Sequence, residues 1–90
     1  MPNLIVAYDL YIPGQRYTAV EQAILRLGIA VKLLNTTWYV KTNMSATEVR
    51  GVIAAQMDLN DRLLVVDANN ATGWNINQNS WANVLQQWSI

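Results

Sequence analysis

Residues 30–42 read Ala-Val-Lys-Leu-Leu-Asn-Thr-Thr-Trp-Tyr-Val-Lys-Thr. Two runs rich in apolar, aromatic and β-branched residues, Ala30–Leu34 and Thr37–Thr42, flank the short polar pair Asn35–Thr36. Such runs suit a pleated, half-buried surface, and so tight a connection makes the two strands antiparallel neighbours. The stretch predicts a β-hairpin in the middle of the chain. It decides the fold because one strand and one helix lie on either side of it.

Upstream, residues 3–9 read as a strand ending in Asp9, and a loop follows around Pro13–Gly14. Tyr17, Val20, Ile24 and Leu27 then recur at helical spacing, with Gly28 as the stop. Downstream, Ser45 followed by Glu48 is a capping box, which opens a helix carrying Val49, Val52, Ile53 and Met57 on one face. Asp58–Asp61 is a polar turn into a fourth strand, Leu63–Val66. The order strand, helix, strand, strand, helix, strand, with right-handed crossovers, predicts an α+β domain of ferredoxin-like βαββαβ type. Both helices then lie on one face of a four-stranded antiparallel sheet, and the first and third strands are central. Residues 1–68 form this core.

Residues 69–90 form a C-terminal extension, docked on the chain's own or a partner subunit. After Asp67 no side chain is charged, Asn and Gln dominate the polar positions, and Trp74, Trp81 and Trp88 recur at heptad spacing. Trp74, Ile76 and Gln78 alternate with Asn75, Asn77 and Asn79 as a short fifth strand would. Ser80 then caps a helix with Trp81, Val84, Leu85 and Trp88 on one face. Three tryptophans require a large apolar surface, so the extension is expected to be ordered.

Ninety residues make one domain, and a chain so short buries only about 60–65% of the surface its unfolded form exposes. Apolar residues are 52% of it and charged residues 13%, more apolar surface than one small core hides. A second copy of the chain is the natural cover. The absence of cysteine and histidine excludes disulfides, thiolate zinc sites, thiol nucleophiles and Ser–His pairs. Any catalysis would rest on carboxylates, hydroxyls or an oxygen-bound metal. Six basic and six acidic residues balance to zero net charge, without the basic excess usual in proteins that live on phosphate backbones. No segment has the ~20 apolar residues of a membrane span, and the N-terminus lacks a secretory pattern, so the cytoplasm is the expected compartment.

Asp9 is the feature that points to chemistry. A carboxylate at the end of an apolar strand stands at the rim of a rigid sheet. Alternation along the strands puts Leu4, Val6, Tyr8, Trp38 and Val40 under the helices. Asp9 then shares the open face with Ile5, Ala7, Tyr39 and Lys41, near Thr37, Asp61 and Arg62. The mixture of apolar and charged groups suits a protein interface, with Ile5, Ala7, Tyr39, Trp74 and Ile76 as its candidate residues. A purely structural Asp9 would accept N–H bonds from the loop that follows it.

Tyr8-Asp9-Leu10 closing the first strand, the Pro13-Gly14 turn followed by Tyr17, Thr37-Trp38 with Val40, and Asn60-Asp61 leading into Leu63-Leu64-Val65-Val66 together carry a family resemblance. Over about residues 3–67 the chain resembles the small CRISPR-associated ferredoxin-fold adaptation proteins, and more closely their SinR-like and VapD-like relatives. The resemblance implies a homodimer with its two sheets face to face and two copies of Asp9 approaching across the axis. In nuclease members such a pair binds a divalent cation, here Mg2+, which makes Asp9 the candidate catalytic and metal-binding residue. Like carboxylates at close range do need a cation or a proton between them.

Two functions compete. One is a homodimeric interaction module without catalysis. The other is a metal-dependent endonuclease acting on RNA or DNA through paired Asp9, with Arg16, Lys41 and Arg62 as nucleic-acid contacts. A sheet-surface RNA binder shares the topology, yet only Tyr39 points the required way.

Overall fold

The computed structural model describes residues 1–11 and 17–89. The Pro13–Gly14 turn and Arg16 lie outside the described residues. The elements are β1 (Asn3–Asp9), α1 (Tyr17–Leu25), β2 (Ile29–Leu34), β3 (Thr37–Lys41), α2 (Ala46–Ala54), β4 (Arg62–Asp67) and α3 (Gln78–Trp88). The four strands form one antiparallel sheet in the order β2-β3-β1-β4, so β1 and β3 are central. The fold class is α+β with three helices.

The hairpin at 30–42 forms as its sequence dictates, with Val31 opposite Tyr39 and a register shift between Lys32 and Leu34. Strand alternation then sorts the side chains. Leu4, Val6, Tyr8, Trp38 and Val40 lie on one face with Val20 and Ile24 of α1 and Val49 and Ile53 of α2. These residues are all buried, and the cluster is the main core. Its polar groups are paired, since the Trp38 indole Nε1–H donates to the Tyr8 hydroxyl at 3.2 Å.

The capping box at the start of α2 is complete. The Ser45 hydroxyl accepts from the Glu48 N–H at 3.1 Å, and the Glu48 carboxylate accepts from the Ser45 N–H at 2.9 Å. The bond from the Ser45 N–H, with the Ser45 hydroxyl second, lowers the Glu48 carboxyl below its ordinary value. The helix stops at Ala54, so Met57 packs from beyond its end and Val52 faces outward. α1 likewise ends at Leu25, before Leu27. Gly28 follows with φ +154, and its α-carbon lies so close to the Lys41 carbonyl that a side chain there would collide with the backbone. Glycine at this position lets β2 leave the helix and pair at once with β3.

Residues 69–77 form no fifth strand. Asn75 sits in the left-handed region at φ 59, which breaks the extended alternation that Trp74, Ile76 and Gln78 suggest. The helix then starts earlier than Ser80. Asn77 is its N-cap, and the Asn77 side-chain oxygen accepts the Ser80 N–H at 3.1 Å. α3 lies on the sheet face opposite α1 and α2. Val84 is fully buried against Val31 and Tyr39, with Trp81 and Trp88 packed around them. Leu85, expected on the packed side of α3, is 56% exposed. No described helix is long and apolar enough to cross a membrane.

Candidate functional site

The second face of the sheet divides into two halves. Over β2 and β3 it is closed by α3. The Tyr39 ring is fully buried and stacks on Trp88 with centroids 5.7 Å apart. Its hydroxyl donates to the Asn3 side-chain oxygen at 2.6 Å, and the Asn3 amide in turn donates to the Trp88 carbonyl at 3.0 Å. Burial pushes the Tyr39 phenol above its ordinary pKa. Lys41 is also buried, and its ammonium donates to the Gln87 carbonyl in the last turn of α3. A cation there suits the partial negative charge at a helix C-terminus. Tyr39 is thus enclosed by its own chain, and Lys41 serves a helix end, where it has no access to a phosphate backbone.

Toward β4 the face opens: Ile5 of β1 still packs against the α3 cluster, and the β4 side chains beyond it are uncovered. Leu64 is 61% exposed and Val66 40% exposed. They stand opposite Ala7 and Ile5 in the sheet register, and both of those are half-buried. Asp9 pairs in register with Arg62 at the end of this strip, and both side chains are exposed. The cleft there has a volume of about 340 Å³ and is lined by Ala7, Tyr8, Asp9, Thr36, Thr37, Arg62, Leu63 and Leu64. Asp9 therefore lines one cleft with Thr37 and Arg62, as its place in the strand implies.

Asp61 does not join them. Its carboxylate accepts the Tyr11 N–H at 2.7 Å and the Asp58 N–H at 2.8 Å, tying the end of the first strand to the turn before the fourth. The role expected of a structural Asp9, accepting bonds from the loop that follows it, is performed by Asp61. The Asp9 carboxylate makes no hydrogen bond or ion pair among the described residues.

This cleft does not fit a resident magnesium ion. Magnesium needs several oxygen ligands in a near-octahedral shell. The described residues contain no group of three acidic side chains able to hold a metal, and one chain brings only Asp9 to this cleft. Of the expected basic contacts, the two among the described residues do not converge either. Lys41 is enclosed beneath α3, while Arg62 stands beside Asp9.

The interface candidates scatter in the same way. Ile5 and Ala7 lie on the half-covered face, Tyr39 is under α3, Ile76 is half-buried, and Trp74 is 87% exposed ahead of α3. Leu64 and Val66 were legible as candidates from one signal. β4 is apolar at four successive positions, so it carries apolar side chains on both faces, which a strand with one solvated face does not.

Comparison with protein-family models finds no match to the chain, and neither curated proteins nor solved structures match it.

Proposed function

We propose that this chain is a ferredoxin-like interaction module that works as a homodimer, and that its chemistry is recognition. The observation that carries this reading is the uncovered half-face, where Leu64 and Val66 stand exposed beside Ala7 on the flank of a rigid sheet. Zero net charge removes the repulsion that keeps like chains apart, and a chain with 52% apolar residues leaves large apolar side chains exposed. The suggested kinship with SinR-like and VapD-like relatives of the CRISPR-associated adaptation proteins agrees with a dimeric module.

Sedimentation equilibrium tests the proposal. A homodimer is expected at micromolar concentration, and a chain still monomeric at ~100 μM, a free energy weaker than about −5.5 kcal/mol, overturns it.

One observation favours a second reading, the metal-dependent endonuclease. The Asp9 carboxylate is exposed and uncommitted at a cleft rim. That reading requires Asp9 of a second copy to complete the ligand set. It predicts cleavage of RNA or DNA with magnesium or manganese that Asp9→Asn abolishes while the melting temperature holds. Absence of turnover by the unaltered protein removes it.

A further inference from the structure

The two edges of the sheet differ. β2, at one edge, carries Lys32 at its centre and a register shift between Lys32 and Leu34. Lys32 is drawn to Glu21 of α1 at 3.0 Å and lies 5.9 Å from the Trp38 ring centroid. A lysine and an irregularity are the usual guards of a free strand edge. β4, at the other edge, has neither. Its register with β1 is unbroken from Leu4↔Asp67 to Asp9↔Arg62, and between its charged ends it reads Leu63-Leu64-Val65-Val66.

The main-chain bonding fixes what that edge offers. The Ala68 N–H donates to the Asn3 carbonyl at 2.9 Å. Antiparallel bonding alternates along a strand, so Val66, Leu64 and Arg62 also turn their main-chain groups toward β1. Leu63, Val65 and Asp67 turn theirs outward. Among the described residues no strand pairs with that side of β4.

We infer that the outer edge of β4 is a self-recognition seam, on which a second copy of this chain adds its own β4 antiparallel about a two-fold axis at Val65. The inference rests on the homodimer reading and specifies its geometry. Strand addition of this kind draws its affinity from main-chain bonds and its register from side chains. With Val65 opposite Val65 of the second copy, Leu63 faces Asp67 of the other strand, and every outward N–H and C=O of Leu63, Val65 and Asp67 finds a partner.

The same register sets Leu64 opposite Val66 of the second copy on the uncovered face. These are non-hydrogen-bonded pairs, the closest side-chain approach in an antiparallel sheet. Charge agrees as well. Arg62 begins the strand and Asp67 ends it, so antiparallel pairing lays the positive end of each strand beside the negative end of the other. Parallel pairing would set like charges together. The seam also separates the two Asp9 carboxylates by roughly 20 Å or more, from strand spacing and rise alone. It therefore excludes a shared Asp9 metal site.

The chain has no cysteine, so introduced thiols report the register directly. Leu64→Cys and Val66→Cys alter exposed positions and are expected to fold. Each variant is oxidised alone and in an equal mixture, and covalent dimer is measured on a non-reducing gel. The mixture should give several-fold more covalent dimer than either variant by itself, because Leu64 faces Val66 and neither residue faces itself. Hydrogen exchange on the unaltered chain is the second measurement. As concentration rises, exchange should slow several-fold at the Leu63, Val65 and Asp67 amides, with little change at Leu64. No excess cross-link in the mixture, or exchange independent of concentration, overturns the seam while a dimer by sedimentation preserves the homodimer reading. A monomer by sedimentation overturns both.

Discussion

The two faces of the sheet are covered in different ways. The face under α1 and α2 carries Leu4, Val6, Tyr8, Trp38 and Val40, and none of these is more than 5% exposed. The opposite face is closed by a single helix over half its width. Val31, Tyr39 and Val84 are buried there, while Leu64 and Val66 remain open on the other half. The first face is closed within the βαββαβ order itself. The second depends on a helix appended after it, whose outward positions are mostly Asn and Gln, with no charge. The difference locates the surplus of apolar surface that the composition announces. Part of it is absorbed by α3, part stays open on β4 at Leu64 and Val66, and single apolar side chains such as Leu34, Leu59, Trp74 and Leu85 are exposed elsewhere.

Removing residues 74–90 tests that comparison most severely. It strips the cover from Val31 and Tyr39 and takes away the Gln87 carbonyl that holds the Lys41 ammonium. Each large apolar side chain returned to water forfeits roughly 1.5–3 kcal/mol. The loss is expected to be on the order of 5 kcal/mol, comparable with the whole stability of a small domain. Urea or thermal melting should show a chain largely unfolded or aggregating. An unchanged melting temperature would make α3 an appendage and the two faces equivalent.

A smaller effect compares the faces residue by residue. Ile53 of α2 and Val84 of α3 are both fully buried. Ile53→Ala opens a cavity in the main core and should lower stability by about 2–5 kcal/mol. Val84→Ala removes less volume from a thinner layer that can settle toward the sheet, so about 1–3 kcal/mol is expected. Urea denaturation of both variants gives the ratio. An equal or larger loss at Val84 would mean that the second face is as tightly specified as the first.

How far the sequence discloses this arrangement depends on where each signal resides. Local signals held. The 30–42 hairpin, the Ser45–Glu48 capping box and the period-two sorting of β1 and β3 need only neighbours in sequence, and all form. No strand forms over Trp74–Asn79 because alternation alone does not register the left-handed turn at Asn75. Lys41 illustrates a different limit. At its place in β3 a lysine reads as solvent-facing or phosphate-binding, and only the docking of a helix that ends near Gln87 makes it a buried anchor. The neighbours of Asp9 were legible in part. Strand register gives Thr37 and Arg62, but Asp61 turns instead to the Tyr11 and Asp58 amides. The heptad of tryptophans marked α3 as amphipathic without saying which face of the sheet it would take.

The smallest expected effect is an alkaline one, and it reads both faces with the same chemical group. Each face holds a buried tyrosine, Tyr8 among the helices and Tyr39 beneath α3. Burial raises both phenols above their ordinary value, and at Tyr8 the Trp38 indole N–H partly offsets it by bonding to the hydroxyl oxygen. A group whose folded-state pKa lies above its unfolded value contributes stability fully below the unfolded value, and that contribution is lost as pH rises through the folded one. The window therefore opens near pH 10 and runs upward. Lys32, held charged by its hydrogen bond to Glu21, acts in the same direction. Denaturant midpoints measured at rising pH should be flat toward 10 and fall beyond it. Tyr39→Phe should reduce that fall by removing the contribution of the α3 side alone. Tyr8→Phe should reduce it too, but from a lower neutral-pH stability, because the Trp38 N–H is left without its acceptor, a loss of about 1–3 kcal/mol. If Tyr39→Phe leaves the alkaline fall unchanged while Tyr8→Phe reduces it, α3 opens readily enough for Tyr39 to ionise in water, and only the first face is closed in solution.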